Sequence, residues 1–164
     1  MSTVTVGQQA PHIEVAGTDG KRHGLEQALG QGPVLVAFFK AECPTCQYTF
    51  PFLERLYQQF RAQGVQIWGI SQDDARDSQR FAKEYGVTFP VLIDDYPYKV
   101  SRAYALQYVP TLFLVAPDGR VKLASDGFAK AGLLETQKSL AKHFSITPPA
   151  LFHASDRVPE SKPG

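Results

Sequence analysis

Apolar residues along the chain fall into short unbroken runs, separated by stretches where they recur every three to four positions. Val34-Leu-Val-Ala-Phe-Phe39 is an unbroken run of β-branched and aromatic residues. It has strand length and suits a strand buried on both faces. From Pro44 to about residue 63, Phe50, Phe52, Leu53, Leu56, Tyr57 and Phe60 recur at helical spacing, which predicts an amphipathic helix with Pro51 as a kink and Gly64 as its stop. Residues 65–70 read as the next strand, residues 75–85 as a helix ended by Gly86, and residues 90–93 as a short strand. A helix is expected around residues 98–105 and a strand over residues 111–115. A tight turn at Pro117-Asp-Gly-Arg120 then leads to a hairpin partner at residues 121–124. Residues 130–144 form a last amphipathic helix. Near the start, Ile13-Glu-Val15 followed by Thr18-Asp-Gly-Lys21 predicts a small hairpin, and residues 25–29 one helical turn.

Strand and helix alternate three times before two hairpin-linked strands and a final helix. Alternation calls for parallel pairing through crossovers, and the hairpin for an antiparallel pair. The expected fold class is α/β: a mixed central sheet of about five strands, helices on both faces, and an N-terminal hairpin extension. With 164 residues, one domain is expected over residues 1–147, followed by a Pro-containing tail over residues 148–164 whose final residues are expected to be mobile.

Hydrophobic residues make up 43% and charged residues 20%, which excludes a disordered chain. Lys plus Arg number 17 and Asp plus Glu 16, so no net charge argues for nucleic acid or an anionic membrane as a partner. No run approaches the roughly 18 apolar residues of a membrane helix, and the first residues lack the basic and apolar segments of a signal peptide. A cytoplasmic location is expected on these grounds, and a monomer, because no long apolar stripe is left over once the sheet is covered. Asp73-Asp74 and Asp94-Asp95 read as strand-end and helix-start acids rather than a cation site.

The chemistry centres on the only two cysteines, in Cys43-Pro-Thr-Cys46. Two cysteines exclude a disulfide-rich scaffold. With His12, His23, His143 and His153 scattered, they do not supply the paired spacing of a zinc site, so no metal and no cofactor is expected. Coming after a buried strand, Cys43 falls at the N-cap of a helix, where unpaired N–H groups and the helix dipole favour a thiolate and lower its pKa. Pro44 suits the first helical position. Cys46, three residues on, faces the same side, a turn inside the helix, and is expected to be shielded with a higher pKa. Such a pair can attack a disulfide through Cys43 and release the mixed disulfide by attack from Cys46. Half of a zinc site and two inert core thiols are the bland alternatives.

These motifs together resemble the thioredoxin superfamily, and within it the branch shared by TlpA-like thiol–disulfide oxidoreductases and AhpC/TSA peroxiredoxins. The resemblance rests on the 34–39 run leading into Cys43-Pro-Thr-Cys46, on Phe50-Pro51-Phe52-Leu53, and on Gly69-Ile-Ser-Gln-Asp-Asp74. It extends through Phe81-Ala-Lys-Glu-Tyr-Gly86, Phe89-Pro-Val-Leu-Ile-Asp94 and Tyr108-Val-Pro-Thr111, and covers about residues 7 to 144. It implies a thioredoxin-like fold, Cys43 and Cys46 as the catalytic pair, and Glu42, Pro44, Val109, Pro110 and Thr111 as substrate-binding residues. It also implies a cis Val109–Pro110 bond facing the cysteines, with the Val109 backbone open to an extended substrate segment. The implied activity is exchange of the dithiol with disulfides of proteins or small molecules, supported by an unidentified thiol electron donor. A Pro-Thr dipeptide between the cysteines implies a potential roughly between −270 and −120 mV.

The chain also departs from the pattern. Glu42 stands where thioredoxins carry Trp, the buried acid of thioredoxin falls at Ala37, and the TlpA-like glutamate at Thr49. Proton transfer would then fall to Glu42, Lys40 or water. The alternative activity is an AhpC/TSA-type peroxidase acting through Cys43, but the Thr and Pro of the peroxiredoxin motif fall at Lys40 and Val36. Arg102 is the one arginine near a peroxide-contacting place. A redox sensor without turnover is a further reading.

Overall fold

The computed structural model describes residues 2–164; residue 1 of the expected domain and lead-in lies outside the described residues. A small hairpin, β1 (Glu14–Ala16) and β2 (Arg22–Gly24), precedes the short helix α1 (Leu25–Leu29). Then follow β3 (Val34–Phe39), α2 (Pro44–Phe60), β4 (Gln66–Ser71), α3 (Ala75–Tyr85), β5 (Val91–Ile93) and α4 (Lys99–Ala103). The hairpin β6 (Thr111–Val115) and β7 (Val121–Asp126), the short β8 (Phe128–Ala129), α5 (Lys130–Phe144) and a last strand β9 (Ser161–Lys162) complete the chain.

The central sheet has five strands in the order β5-β4-β3-β6-β7. The three strands joined by helices run parallel, β6 runs antiparallel to β3, and β7 antiparallel to β6, as the connections require. Every residue of β3 is buried, because it lies in mid-sheet with helices on both faces. Leu35, Ala37 and Phe39 join α2, α3 and α5 in one core cluster. Val34, Val36 and Phe38 join Ile13, α1 and α4 in the other. Burying one such side chain is worth about 1.5–3 kcal/mol, so this strand is the fixed base from which α2 starts. In the β6–β7 turn Gly119 adopts φ +88, which glycine takes without cost, and Asp118 accepts from the N–H of Arg120 at 3.0 Å. Pro51 lies inside α2 without ending it. Among the described residues, no helix is long and apolar enough to cross a membrane.

The tail over residues 148–164, irregular as its prolines imply, folds back onto the domain. Leu151 is fully buried, and Phe152 and Val158 pack against the α2 core. Gln59 and Gln137 both donate to the carbonyl of Pro149, at 3.1 and 3.0 Å. The Arg55 guanidinium forks onto Asp156 at 2.7 and 2.9 Å, and β9 pairs antiparallel with β8. The prolines make this stretch irregular, but three apolar side chains and a bidentate ion pair fasten it.

Candidate active site

β3 ends at Phe39, and after residues 40–42 the chain turns at Cys43 into α2. Cys43 is extended (φ −90°, ψ 112°) and caps the helix, with Pro44 next. Its sulfur accepts from the N–H of Cys46 at 3.1 Å, and its carbonyl accepts the N–H of Gln47 at 3.0 Å. The thiol of Cys43 donates to the carbonyl of Val109 at 3.4 Å. Val109–Pro110 is cis. The loop carrying it is braced by Thr111, whose hydroxyl donates to the Tyr108 carbonyl at 2.7 Å, and by the N–H of Gly127, which donates to the Pro110 carbonyl at 2.8 Å. The Cys43 sulfur and the Val109 carbonyl therefore meet, with Pro44 next to the one and Pro110 and Thr111 next to the other along the chain.

Cys43 is half-buried and Cys46 fully buried; both are free thiols. Burial pushes the Cys46 thiol well above its ordinary range, and a hydrogen bond with Cys43 acts in the same direction. Glu42 and Lys40 are exposed on the loop. Ala37 is fully buried in the same cluster as Cys46 and offers no acid. Thr49, also buried, donates to the Thr45 carbonyl at 2.7 Å. The sulfur of Cys43 makes its hydrogen bonds to Cys46 and Val109, and neither Arg102, exposed on α4, nor a hydroxyl is among these partners.

Two supports of the site escaped sequence reasoning. The carboxylate of Asp73 accepts from the N–H of Ala41 at 2.7 Å, and Gln47 donates to the Ala41 carbonyl at 2.9 Å. The loop before Cys43 is thus held at both backbone atoms of one residue. The Ser71-Gln-Asp73 pattern was the available signal, but nothing local showed what Asp73 would reach. Asp74 caps α3 by accepting from Asp77 N–H at 2.8 Å. Asp94 accepts from the N–H groups of Val100 and Ser101, at 3.2 and 2.8 Å, and from the Ser101 hydroxyl at 2.7 Å. These acids serve strand ends and helix starts, as expected.

A buried strand that delivers a C-x-x-C pair to a helix N-terminus, facing a cis-proline loop, defines a thioredoxin-like redox protein. The model of the AhpC/TSA family matches residues 6–124. The thiol-disulfide oxidoreductase ResA of Bacillus subtilis is 31% identical over 141 residues, covering 85% of this chain and 78% of ResA. The thioredoxin domain of a thiol-disulfide oxidoreductase from Bacteroides vulgatus superposes with a TM-score of 0.73 at 25% identity, covering 84% of this chain and 98% of that one. The peroxidoxin BcpB of Mycobacterium tuberculosis, at a TM-score of 0.71 and 20% identity over 85% of this chain and 97% of its own, shares the fold. The chain belongs to the AhpC/TSA family, on the TlpA-like side of the thioredoxin superfamily. It is an oxidoreductase of the thiol–disulfide class. The named relatives lend no support to the cytoplasmic location expected from the sequence.

Proposed function

We propose that the protein exchanges its Cys43–Cys46 dithiol with the disulfide of a protein substrate. The Cys43 thiolate attacks one substrate sulfur, a mixed disulfide forms, and the other substrate sulfur leaves as a thiolate that takes up a proton. Cys46 loses its proton and attacks the Cys43 sulfur, which releases the second substrate thiol and leaves a Cys43–Cys46 disulfide. A thiol donor returns the pair to the dithiol, and the reverse sequence oxidises a substrate dithiol. The carrying observation is the unequal placement of the sulfurs: Cys43 stands at the helix N-terminus within reach of the cis-proline loop, and Cys46 is buried behind it. Glu42, Pro44, Val109, Pro110 and Thr111 frame the entry. The peroxidase reading through Cys43 is the weaker one, because Lys40 and Val36 stand where its motif needs Thr and Pro.

The test is a trapping experiment with insulin. Cys46→Ser accumulates a mixed disulfide through Cys43, and Cys43→Ser neither traps nor reduces. Hydrogen peroxide turnover that persists in Cys46→Ser, with no trapped disulfide, would give the function to the peroxidase instead.

A further inference from the structure

Residues 157–164 run as an extended strap over the surface beside the cysteine pair, fastened at three places. At its base, the Arg55–Asp156 fork holds the residue before it, and the ion pair keeps the Asp156 carboxyl well below the usual carboxylate range. Arg157 then turns the chain at φ 50°, a left-handed conformation that non-glycine residues seldom adopt. In the middle, β9 adds to the free edge of β8, the Glu160 carbonyl accepts the Lys130 N–H at 3.0 Å, and the Lys162 ammonium sits 4.7 Å from the Tyr48 ring centre. At the far end, the Pro163 carbonyl accepts the hydroxyl of Thr45, which lies between the two cysteines, at 2.6 Å. Gly164 presses on the cis-proline loop so closely that a Cβ there would lie 2.6 Å from the Val109 carbonyl oxygen. That oxygen is also the acceptor of the Cys43 thiol.

The strap therefore occupies what an incoming extended polypeptide would use: the edge of β8, the Thr45 hydroxyl and the backbone of Val109. Its own hold there is slight. The ladder is two residues long, prolines at positions 159 and 163 bracket it, and residues 161–164 are exposed. Proline supplies no ladder donor, so the strap cannot lengthen its pairing. A substrate strand with more donors displaces it, while Arg55–Asp156 keeps its base attached.

We propose that this strap is an internal stand-in for the substrate backbone, so that an extended polypeptide disulfide reaches Cys43 only when the strap lifts. A small disulfide, which needs no strand pairing, is left largely unhindered. This inference rests on the exchange reading above. A site free only part of the time weakens apparent substrate affinity by that fraction, so lifting the strap raises the rate on polypeptides alone.

The full chain carrying Lys162→Pro loses the ladder donor of β9, which lies opposite Phe128, at an exposed position. Its rate of insulin disulfide reduction is expected to rise roughly tenfold over the parent, with the rate on 2-hydroxyethyl disulfide unchanged within about twofold. Equal insulin rates, a slower insulin rate, or the same acceleration on both disulfides would each overturn the strap. No reaction of the parent with either disulfide would overturn the exchange reading and the strap with it. Hydrogen exchange supplies a measure that needs no strap mutation. In Cys46→Ser joined through Cys43 to a cysteine-containing peptide, the amide of Lys162, opposite Phe128, becomes as exposed as that of a free chain. Retained protection would overturn the proposal.

Discussion

Two strand-to-helix junctions stand side by side in the sheet. β3 passes into α2 at Cys43, and β4 passes into α3 at Asp74. Both caps are extended, and both accept from the N–H three residues on, Cys43 sulfur from Cys46 at 3.1 Å and Asp74 carboxylate from Asp77 at 2.8 Å. A carboxylate or hydroxyl is the usual cap; at the first junction sulfur takes its place. The rest of each first turn differs in the same sense. α3 carries Asp77 there, paired with Arg80, whereas α2 has no acid in its first turn and buries Cys46 at the matching position. The positive end of α2 is therefore left to the sulfur alone, and the positive end of α3 is neutralised by its own side chains. The same local architecture thus serves stability at one junction and chemistry at its neighbour. Asp73 joins them, because it starts from the second and holds the loop of the first at Ala41.

The largest expected effect comes from making the first junction like the second. Cys43→Asp should abolish exchange while leaving stability equal or higher by up to about 1 kcal/mol, because Asp is a strong cap. Insulin reduction and thermal unfolding check the two halves. A protein that loses more than about 1 kcal/mol would show that the sulfur is a packing element and not a replaceable cap.

Next in size is the response of the buried sulfur to alkali. The folded state holds Cys46 protonated above the ordinary thiol range, and the unfolded chain does not. Stability from this source is complete below about pH 8.5, the free-thiol value, and is lost as pH rises towards the folded pKa. The reduced protein should weaken by at most about 1.4 kcal/mol per pH unit above that point. Thermal melts of the reduced protein between pH 8 and 10 measure this weakening, and Cys46→Ser should flatten the curve. An equal slope in that variant would place the alkaline loss elsewhere.

How much of this was legible in the sequence follows from the range of each interaction. The strand, the cysteine, the proline and the helix period occupy neighbouring positions, so β3, the Cys43 cap and α2 were readable from pattern alone. The bounds of α1, α3 and α5 were readable for the same reason. β7 runs through Asp126, beyond the expected end at residue 124, because its pairing with β6 continues across polar residues. The cis Val109–Pro110 bond came from family resemblance, since nothing in Tyr108-Val-Pro-Thr111 distinguishes it from other X-Pro bonds. The bond from Ala41 to Asp73 spans 32 positions, and the pairing of Phe128–Ala129 with Ser161–Lys162 links β8 to the end of the chain. No periodicity marks either. A segment with prolines at 148, 149, 159 and 163 reads as coil whether or not it is fastened.

A smaller effect is expected where the two junctions meet. Asp73→Ala leaves the Ala41 N–H without its acceptor in a half-buried turn. The cost should be about 1–2 kcal/mol, and the exchange rate should fall several-fold as the loop carrying Cys43 loosens. Asp73→Asn keeps a carbonyl in reach of Ala41 and should recover much of both. Full exchange activity in Asp73→Ala would separate the junctions and leave Asp73 a purely structural residue.

The smallest effect should come from the second junction by itself. In Asp74→Ala the first turn of α3 loses its cap bond to Asp77 N–H, worth about 1 kcal/mol. The remaining supports of that turn stay in place: Ser78 still donates to Ser71 at 2.8 Å, and the Asp73 carboxylate still accepts from Ala41. Unfolding should therefore shift by about 1 kcal/mol while insulin reduction is unchanged, because no atom of the cysteine pair or the cis-proline loop bonds to Asp74. Denaturant melts and the exchange assay on the same preparation decide the matter. If exchange falls in step with stability, the carboxylate at the second cap serves the sulfur at the first, and the division between a stabilising junction and a reactive one fails.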